Sequence, residues 1–183
     1  MSDIANGANA DGANAGAPGT GSVGGRPPLT IHAQYIKDLS FENPLSPGSL
    51  MPLAKPPKID LNVLVKMRKL EDSTYEVALI MGAEARNSEN GDALFMMELV
   101  YCAVVTVAGV PQEALGPLLL IETPRLLFPF ARAIIANATR EAGFPPLQVA
   151  PVDFVQLYRQ QQEQARNEEQ LNASGQSDEA QLN

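Results

Sequence analysis

The chain is poor in the residues from which reactive centres are built. Its 183 residues include one histidine, His32, and one cysteine, Cys102. A metal centre needs several nitrogen, sulfur or carboxylate donors at a set spacing, and His32 has neither a second histidine nor a Glu-x-x-His pattern around it. It reads as an ordinary surface or half-buried histidine, and no metal is expected. Cys102 lies in the most apolar stretch of the sequence, where a thiol behaves as a small hydrophobe with a raised pKa. A single cysteine forms no intrachain disulfide, and nothing in the chain requires an oxidising compartment. No P-loop or Gly-x-Ser-x-Gly pattern occurs. The acidic pairs Glu71-Asp72 and Glu168-Glu169 read as solvated turn and tail residues. The expectation is a chain that is no enzyme and carries no cofactor.

Glu98 is the exception among the charges, because it interrupts an apolar strand on the side that carries Met96 and Val100. An unpaired buried carboxylate costs several kcal/mol, so that side is open to water at this point. Met97, Leu99 and Tyr101 then point to the buried side. Two readings of Glu98 stand side by side. It is a docking charge for a basic partner, set among exposed apolar side chains, or a gatekeeper that discourages aggregation of the sheet.

The elements that position these residues follow from the periodicity. Residues 58–67 alternate, with Ile59, Leu61, Val63, Val65 and Met67 on one side, which is a half-buried strand. Glu71-Asp72-Ser73 supplies turn chemistry. In the next strand Tyr75, Val77, Leu79, Met81 and Ala83 oppose Thr74, Glu76 and Glu84. After a polar turn at 87–92, a long strand from about Leu94 to Ala108 is apolar on nearly both sides. Short connections make these strands antiparallel neighbours. An earlier strand, about Leu29 to Lys37, is set apart by the proline-rich segment 43–57. Beyond Gly109 the period becomes helical. Thr123-Pro124 reads as an N-cap and first-turn proline, with Leu127, Phe130, Ala131, Ile134 and Ala138 as the apolar stripe. Pro129 predicts a kink or a late start, and Gly143 with Pro145-Pro146 ends the helix. A last helix begins near Asp153, with Phe154, Leu157 and Tyr158 on its apolar side. Strands followed by helices make an α+β fold.

Residues 1–28 are rich in Gly, Ala and Asn with little to bury, and residues 167–183 form a polar, acidic end. Both read as disordered tails flanking a folded unit at 29–166. The net charge of −8 argues against nucleic acid as a partner. The N-terminus lacks a secretory signal pattern, and no run is long and apolar enough to span a membrane. A cytoplasmic protein without membrane insertion is the expectation. Two or three helices cover only one side of the sheet, so the surplus apolar strand residues predict self-association, with Met97, Leu99 and Tyr101 at the oligomer interface; the other reading is a helix that returns over that side.

Leu45, Leu50, Met51 and Leu53 alternate with prolines in the 43–57 segment, which keeps it open and extended. Against Phe144, Leu147 and Phe154 it would wall a groove for extended clients. The other reading is a loop capping its own core. A small-molecule or catalytic cleft would need convergent polar groups, and none is found. A plain scaffold would need no exposed Leu- and Met-rich loop. The six methionines suit irregular apolar partners as well as ordinary core filling.

Three motifs carry a family resemblance. The runs 127–132 (LFPFAR), 143–147 (GFPPL) and 150–154 (APVDF) resemble the C-terminal half of SecB, and 35–44 (YIKDLSFENP) resembles its N-terminal signature. The match covers about Leu29 to Tyr158. The resemblance implies a four-stranded antiparallel sheet with C-terminal helices, assembled as a dimer of dimers, a homotetramer. It implies an ATP-independent chaperone that binds unfolded preproteins and delivers them to the SecA motor. It also implies that the zinc-bearing tail of SecA docks on Asp38, Glu42, Met96 and Glu98. Met96 and Met97 depart from the more usual Leu and Cys, a conservative change for apolar contact. Tyr101-Cys102 stands where smaller or polar residues are usual.

Overall fold

The computed structural model describes residues 28–179, with side chains described through 167. Four long strands come first: β1 (Leu29–Glu42), β2 (Lys58–Glu71), β3 (Thr74–Arg86) and β4 (Ala93–Val107). They form one antiparallel sheet in the order β1-β4-β3-β2. The two more apolar strands, β3 and β4, therefore lie inside, and the more polar β1 and β2 take the edges. The strands run further than the periodicity predicts, β1 by five residues at its end and β2 by four. Regular pairing continues there even though Ser40, Glu42, Arg68 and Lys69 break the apolar alternation.

Two bulges interrupt β1 opposite β4, one between Ile31 and Ala33 and one between Ile36 and Asp38. Each adds a residue to β1 that β4 does not match. His32 occupies the first, where its Nε2 lies 2.7 Å from the Thr106 hydroxyl.

The odd-numbered residues of β4 face the helices. Leu99, Ala103 and Val105 have no exposed surface, and Val77, Leu79 and Met81 of β3 complete the core. Helix α1 (Gln112–Pro117) passes through a π turn (Leu118–Glu122) into α2 (Thr123–Glu141). Thr123 is therefore no N-cap. Its amide reaches back five residues to the Leu118 carbonyl, and its hydroxyl donates to the same oxygen at 2.9 Å. Pro124 has no N–H to offer the next carbonyl in line, which is why the regular ladder slips there. The side of α2 that packs on the sheet is Leu127, Phe128, Ala131, Ile135 and Thr139, and Phe130 points outward at 52% exposure. The stripe expected from sequence is therefore rotated by about one residue, with Phe128, Ile135 and Thr139 on the inner side in place of Phe130, Ile134 and Ala138.

Gly143 ends α2 at φ +91°, and the Gly143 and Phe144 amides donate to the Arg140 and Thr139 carbonyls. The buried Thr139 hydroxyl donates back to its own helix and accepts from the Leu147 amide at 2.9 Å, which folds the following segment onto α2. Asp153 caps α3 (Phe154–Glu179) through its carboxylate, which accepts from the amides of Val155 and Gln156. The helical backbone continues to Glu179, past the boundary at 167 where a disordered tail was expected; Glu, Gln, Leu and Ala are good helix formers and extend a helix already nucleated by docking. The expected tail at 1–28 lies outside the described residues except for Pro28.

Candidate functional site

Two surfaces stand out, one at the loop end of the sheet and one on its uncovered side. At the loop end, Asn43 opens the connection between β1 and β2. Its side chain accepts from the Ser49 hydroxyl, and a short 3-10 turn at Gly48–Leu50 follows. Pro52, Pro56 and Pro57 then hold the segment extended. Ser88 in the β3–β4 turn donates to the Pro56 carbonyl at 2.6 Å, and Lys55 lies 3.7 Å from Glu89. These contacts tie the loop at its far end and leave its middle standing off the sheet.

The space behind it is a cleft of about 720 Å³. Leu50, Met51 and Leu53 form one wall and Phe144 and Leu147 the other, over a floor that includes Phe95. Leu50 comes close to the chain reversal after α2. A side chain at Gly143 would stand 3.2 Å from its Cδ2. Phe95 stacks on Phe41 at 5.3 Å and meets Phe144 at 5.0 Å, so three rings from three segments form a continuous apolar bed. Met51 is 62% exposed and Leu50 42%, yet both sit at the mouth of this cleft. The loop does not simply cap its own core.

Two of the residues expected in the groove are elsewhere. Leu45 is exposed and lies outside the lining. Phe154 is only 2% exposed and packs edge-on against Phe128 at 5.9 Å, because the first turn of α3 docks into the core. Ile59, Leu94 and Phe95 line the cleft and were not anticipated. Their strand periodicity was legible, but nothing local in the sequence says that the ends of β2 and β4 lie under the loop.

The second surface is the side of the sheet without helices. The pairing register sets side chains in rows across it. Glu42, Met96, Glu84 and Asp60 make one row, Ser40, Glu98, Gly82 and Asn62 the next, and Asp38, Val100, Ile80 and Leu64 the third. Asp38, Glu42, Met96 and Glu98, which come from two distant segments, therefore share one corner of the same side. Glu98, Asp38 and Glu42 are exposed and Met96 is half-buried. Glu84 and Asp60 extend the acidic corner, but Arg86 pairs with the first and Lys58 lies 3.4 Å from the second.

Two rows beyond the third, Glu76 is buried on this same side at 6% exposure. It accepts from the Tyr35 hydroxyl, from Lys37 Nζ at 2.8 Å and from Arg68 Nη2 at 3.2 Å. The Lys37 and Tyr35 hydrogen bonds hold its carboxyl below the usual range, and Tyr35 is pushed up to about 12, chiefly by that same hydrogen bond. The cluster joins edge strand β1 to edge strand β2 across the sheet. Sequence reading put Glu76 on the correct side and missed its burial, since the partners come from strands whose order it could not supply. Cys102 is buried beneath, and desolvation and the nearby Glu76 carboxylate push its thiol up.

Met97, Leu99 and Tyr101 lie on the opposite, helix-covered side at 4%, 0% and 8% exposure. This corrects the expectation that they meet a partner chain. Their surface is already spent within the single chain, leaving none for an interface. Apolar groups that remain outside include Leu126 and Phe130 on α2, Ile36 and Leu39 on β1, and Ile59, Leu61, Met67 and Leu70 on β2. Among the described residues no cluster of His, Cys, Asp and Glu is placed to hold a metal ion, and no helix is long and apolar enough to cross a membrane. The run Gly19–Gly24 has Gly-x-Gly-x-x-Gly spacing. It leads into strand β1, whereas a dinucleotide fingerprint follows a strand and opens a helix.

A family model described as "Preprotein translocase subunit SecB" matches residues 24–165. The chain belongs to the SecB family. Among its relatives, a protein-export protein SecB of a Bradyrhizobium species is 53% identical over 137 residues, covering 75% of this chain and 83% of the relative. One from Rhodopseudomonas palustris is 50% identical over 154 residues, covering 84% and 90%. The SecB-like chaperone Rv1957 of Mycobacterium tuberculosis, solved in complex with a ChAD peptide from the HigA1 antitoxin, shares the fold with a TM-score of 0.56. The identity is 14%, over 68% of this chain and 90% of that one. The SecB sheet and helices thus account for both surfaces: the loop cleft at one end, the bare side opposite the helices.

Proposed function

We propose that this SecB chain is an ATP-independent holdase for unfolded preproteins, and that it passes them to SecA for export. The observation that carries the reading is the open cleft of Leu50, Met51, Leu53, Phe144 and Leu147, which is apolar and lacks convergent polar groups. Such a cleft gains free energy from any apolar side chain and imposes little geometry, so it suits many sequences and no single substrate. It also makes the reading of the chain as a non-enzyme consistent with its side chains. Cytoplasmic residence follows from the proposed task.

The acidic corner of Asp38, Glu42 and Glu98 with Met96 suits the basic, zinc-bearing tail of SecA, the zinc being the partner's. A homotetramer, a dimer of dimers, is supported by the outward stripe of Leu126 and Phe130 on α2, which a second copy would cover. Four clefts on one particle would raise affinity by effective concentration. The test is suppression of aggregation of an unfolded client by purified chain without nucleotide. Unimpeded aggregation at equimolar chaperone would overturn the proposal.

A further inference from the structure

The bare side of the sheet is electrically divided. One corner carries Asp38, Glu42 and Glu98. Further along the strands lie Lys37, Lys66 and Arg68, with the Lys66 row about 14 Å and the Arg68 row about 20 Å beyond Glu98, at four and six residues of about 3.4 Å each. In the pairing rows, Lys66 aligns with Ala78 and Cys102, and Arg68 with Glu76 and Val104. The β1 bulge is what places Lys37 here. It lets Lys37 and Asp38, adjacent in sequence, both reach this side, one toward Glu76 and one toward the acidic corner. Glu76 neutralises only one of the three cations. Lys66 is exposed and, among the described residues, has no carboxylate within ion-pair distance. Between the two charged ends, Leu64, Ile80 and Val100 form a half-buried apolar step. A hollow of about 360 Å³ lies at the basic end, bordered by Lys37, Lys66, Arg68, Ile80 and Val100.

Resting on the reading of this side as a docking surface, we infer that the partner segment it takes is bipartite. Basic residues lie over Glu42 and Glu98, an apolar residue over Ile80 and Val100, and an acidic residue over Lys66 and Arg68, about four to eight residues from the basic ones. A uniformly basic segment would meet repulsion at the Lys66 end, so the surface both attracts and rejects. It also fixes the direction in which the segment lies, because turning it end for end puts like charges together. A second copy of the chain is the poorer occupant, since the apolar step is only three side chains wide and a stable dimer needs a far larger apolar centre.

The test uses the full chain in its native assembly and two dye-labelled extended peptides of equal length with the same apolar centre. One is basic at one end and acidic at the other; the second is basic at both ends. Fluorescence anisotropy at low salt measures each against wild type, Lys66→Glu and Glu98→Lys. The expected result is tighter binding of the bipartite peptide to wild type. Lys66→Glu should weaken it about three- to tenfold and tighten the doubly basic one, while Glu98→Lys weakens both. If Lys66→Glu misfolds by circular dichroism, Lys66→Gln serves, with about half the effect on a logarithmic scale. Should the Lys66 variants bind both peptides as wild type does while Glu98→Lys weakens both, the acidic docking site stands and the bipartite inference falls. Should no variant alter either peptide, the docking reading itself falls. A concentration-dependent rise in mass of the wild type, abolished by Lys66→Glu, would assign this side to a second copy and overturn the inference as well.

Discussion

Glu76 is a single buried carboxylate that gathers a phenol, an ammonium and a guanidinium from two edge strands. Its protonation would cost the fold these contacts. Its folded-state pKa is depressed, so the stability it contributes is present above its unfolded value of about 4.3 and is lost as pH falls through the folded value. Urea midpoints should therefore fall between pH 5 and pH 3 more steeply for wild type than for Glu76→Gln, pH limits set around that value. At neutral pH Glu76→Gln should cost about 1–3 kcal/mol, because the carboxylate is buried and its charge-assisted bonds are lost. Tyr35 works in the opposite sense. Its raised folded pKa leaves its contribution intact below about 10 and removes it as pH rises toward about 12. Phenolate absorbance should show one tyrosine titrating late, and that lag should vanish in Glu76→Gln. At this scale Glu98 was legible, because a charge in an apolar strand announces the wet side of a sheet. Glu76 was not, because its burial depends on three residues remote in sequence.

Among the elements, the strands were readable and the helices less so. Period-two alternation set β2 and β3 and assigned the sides of β4 correctly, since each residue there answers to one of two environments. It could not give the order β1-β4-β3-β2, which depends on where a fifteen-residue connection returns. The start of the helical run, at 112–122, escaped because its prolines look like terminators. Pro117, Pro124 and Pro129 all lie inside the run, their missing donors absorbed in part by the π turn. With α2 rotated into its true position, Leu126 and Phe130 become the exposed pair. Replacing both with serine should lower the particle from about 78 kDa, four chains of 19.6 kDa, to about half that mass by sedimentation. An unchanged mass would place the interface elsewhere. Gly143→Ala is a second element-level prediction. A side chain at φ +91° and 3.2 Å from Leu50 should cost about 1–2 kcal/mol in denaturant unfolding and displace one wall of the cleft.

In the whole molecule, the cleft and the acidic corner use different surfaces of one sheet, so their losses should separate. Leu50→Ser with Met51→Ser should weaken binding of an unfolded client about tenfold, from partial loss of two apolar contacts, and leave SecA binding unchanged. Asp38→Asn, Glu42→Gln and Glu98→Gln together should weaken SecA in calorimetric titration and flatten its dependence on salt, with client holding intact. Loss of both activities in either set would mean one shared site. The division of labour was partly visible in the sequence, as a Leu-rich loop among prolines and as a lone glutamate in β4. What joins Phe41, Phe95 and Phe144 beneath that loop is tertiary, since the three lie in β1, in β4 and after α2.

The alternation of β4 has a consequence for how such a chain can change over generations. Substitutions along it alter one surface at a time, since Met96 can vary for a partner while Met97 stays under the helices. A change of length cannot be confined in this way. Deleting Val100 alone would move Glu98 or its neighbours across the plane of the sheet and exchange wet and dry sides on one half of the strand. The central strand is therefore free in composition and locked in length, whereas β1 at the edge already carries two extra residues in its bulges. Inherited insertions should accumulate in the edge strand and the loop behind it, and soluble expression of a library of single-residue deletions should drop most sharply across residues 95–105.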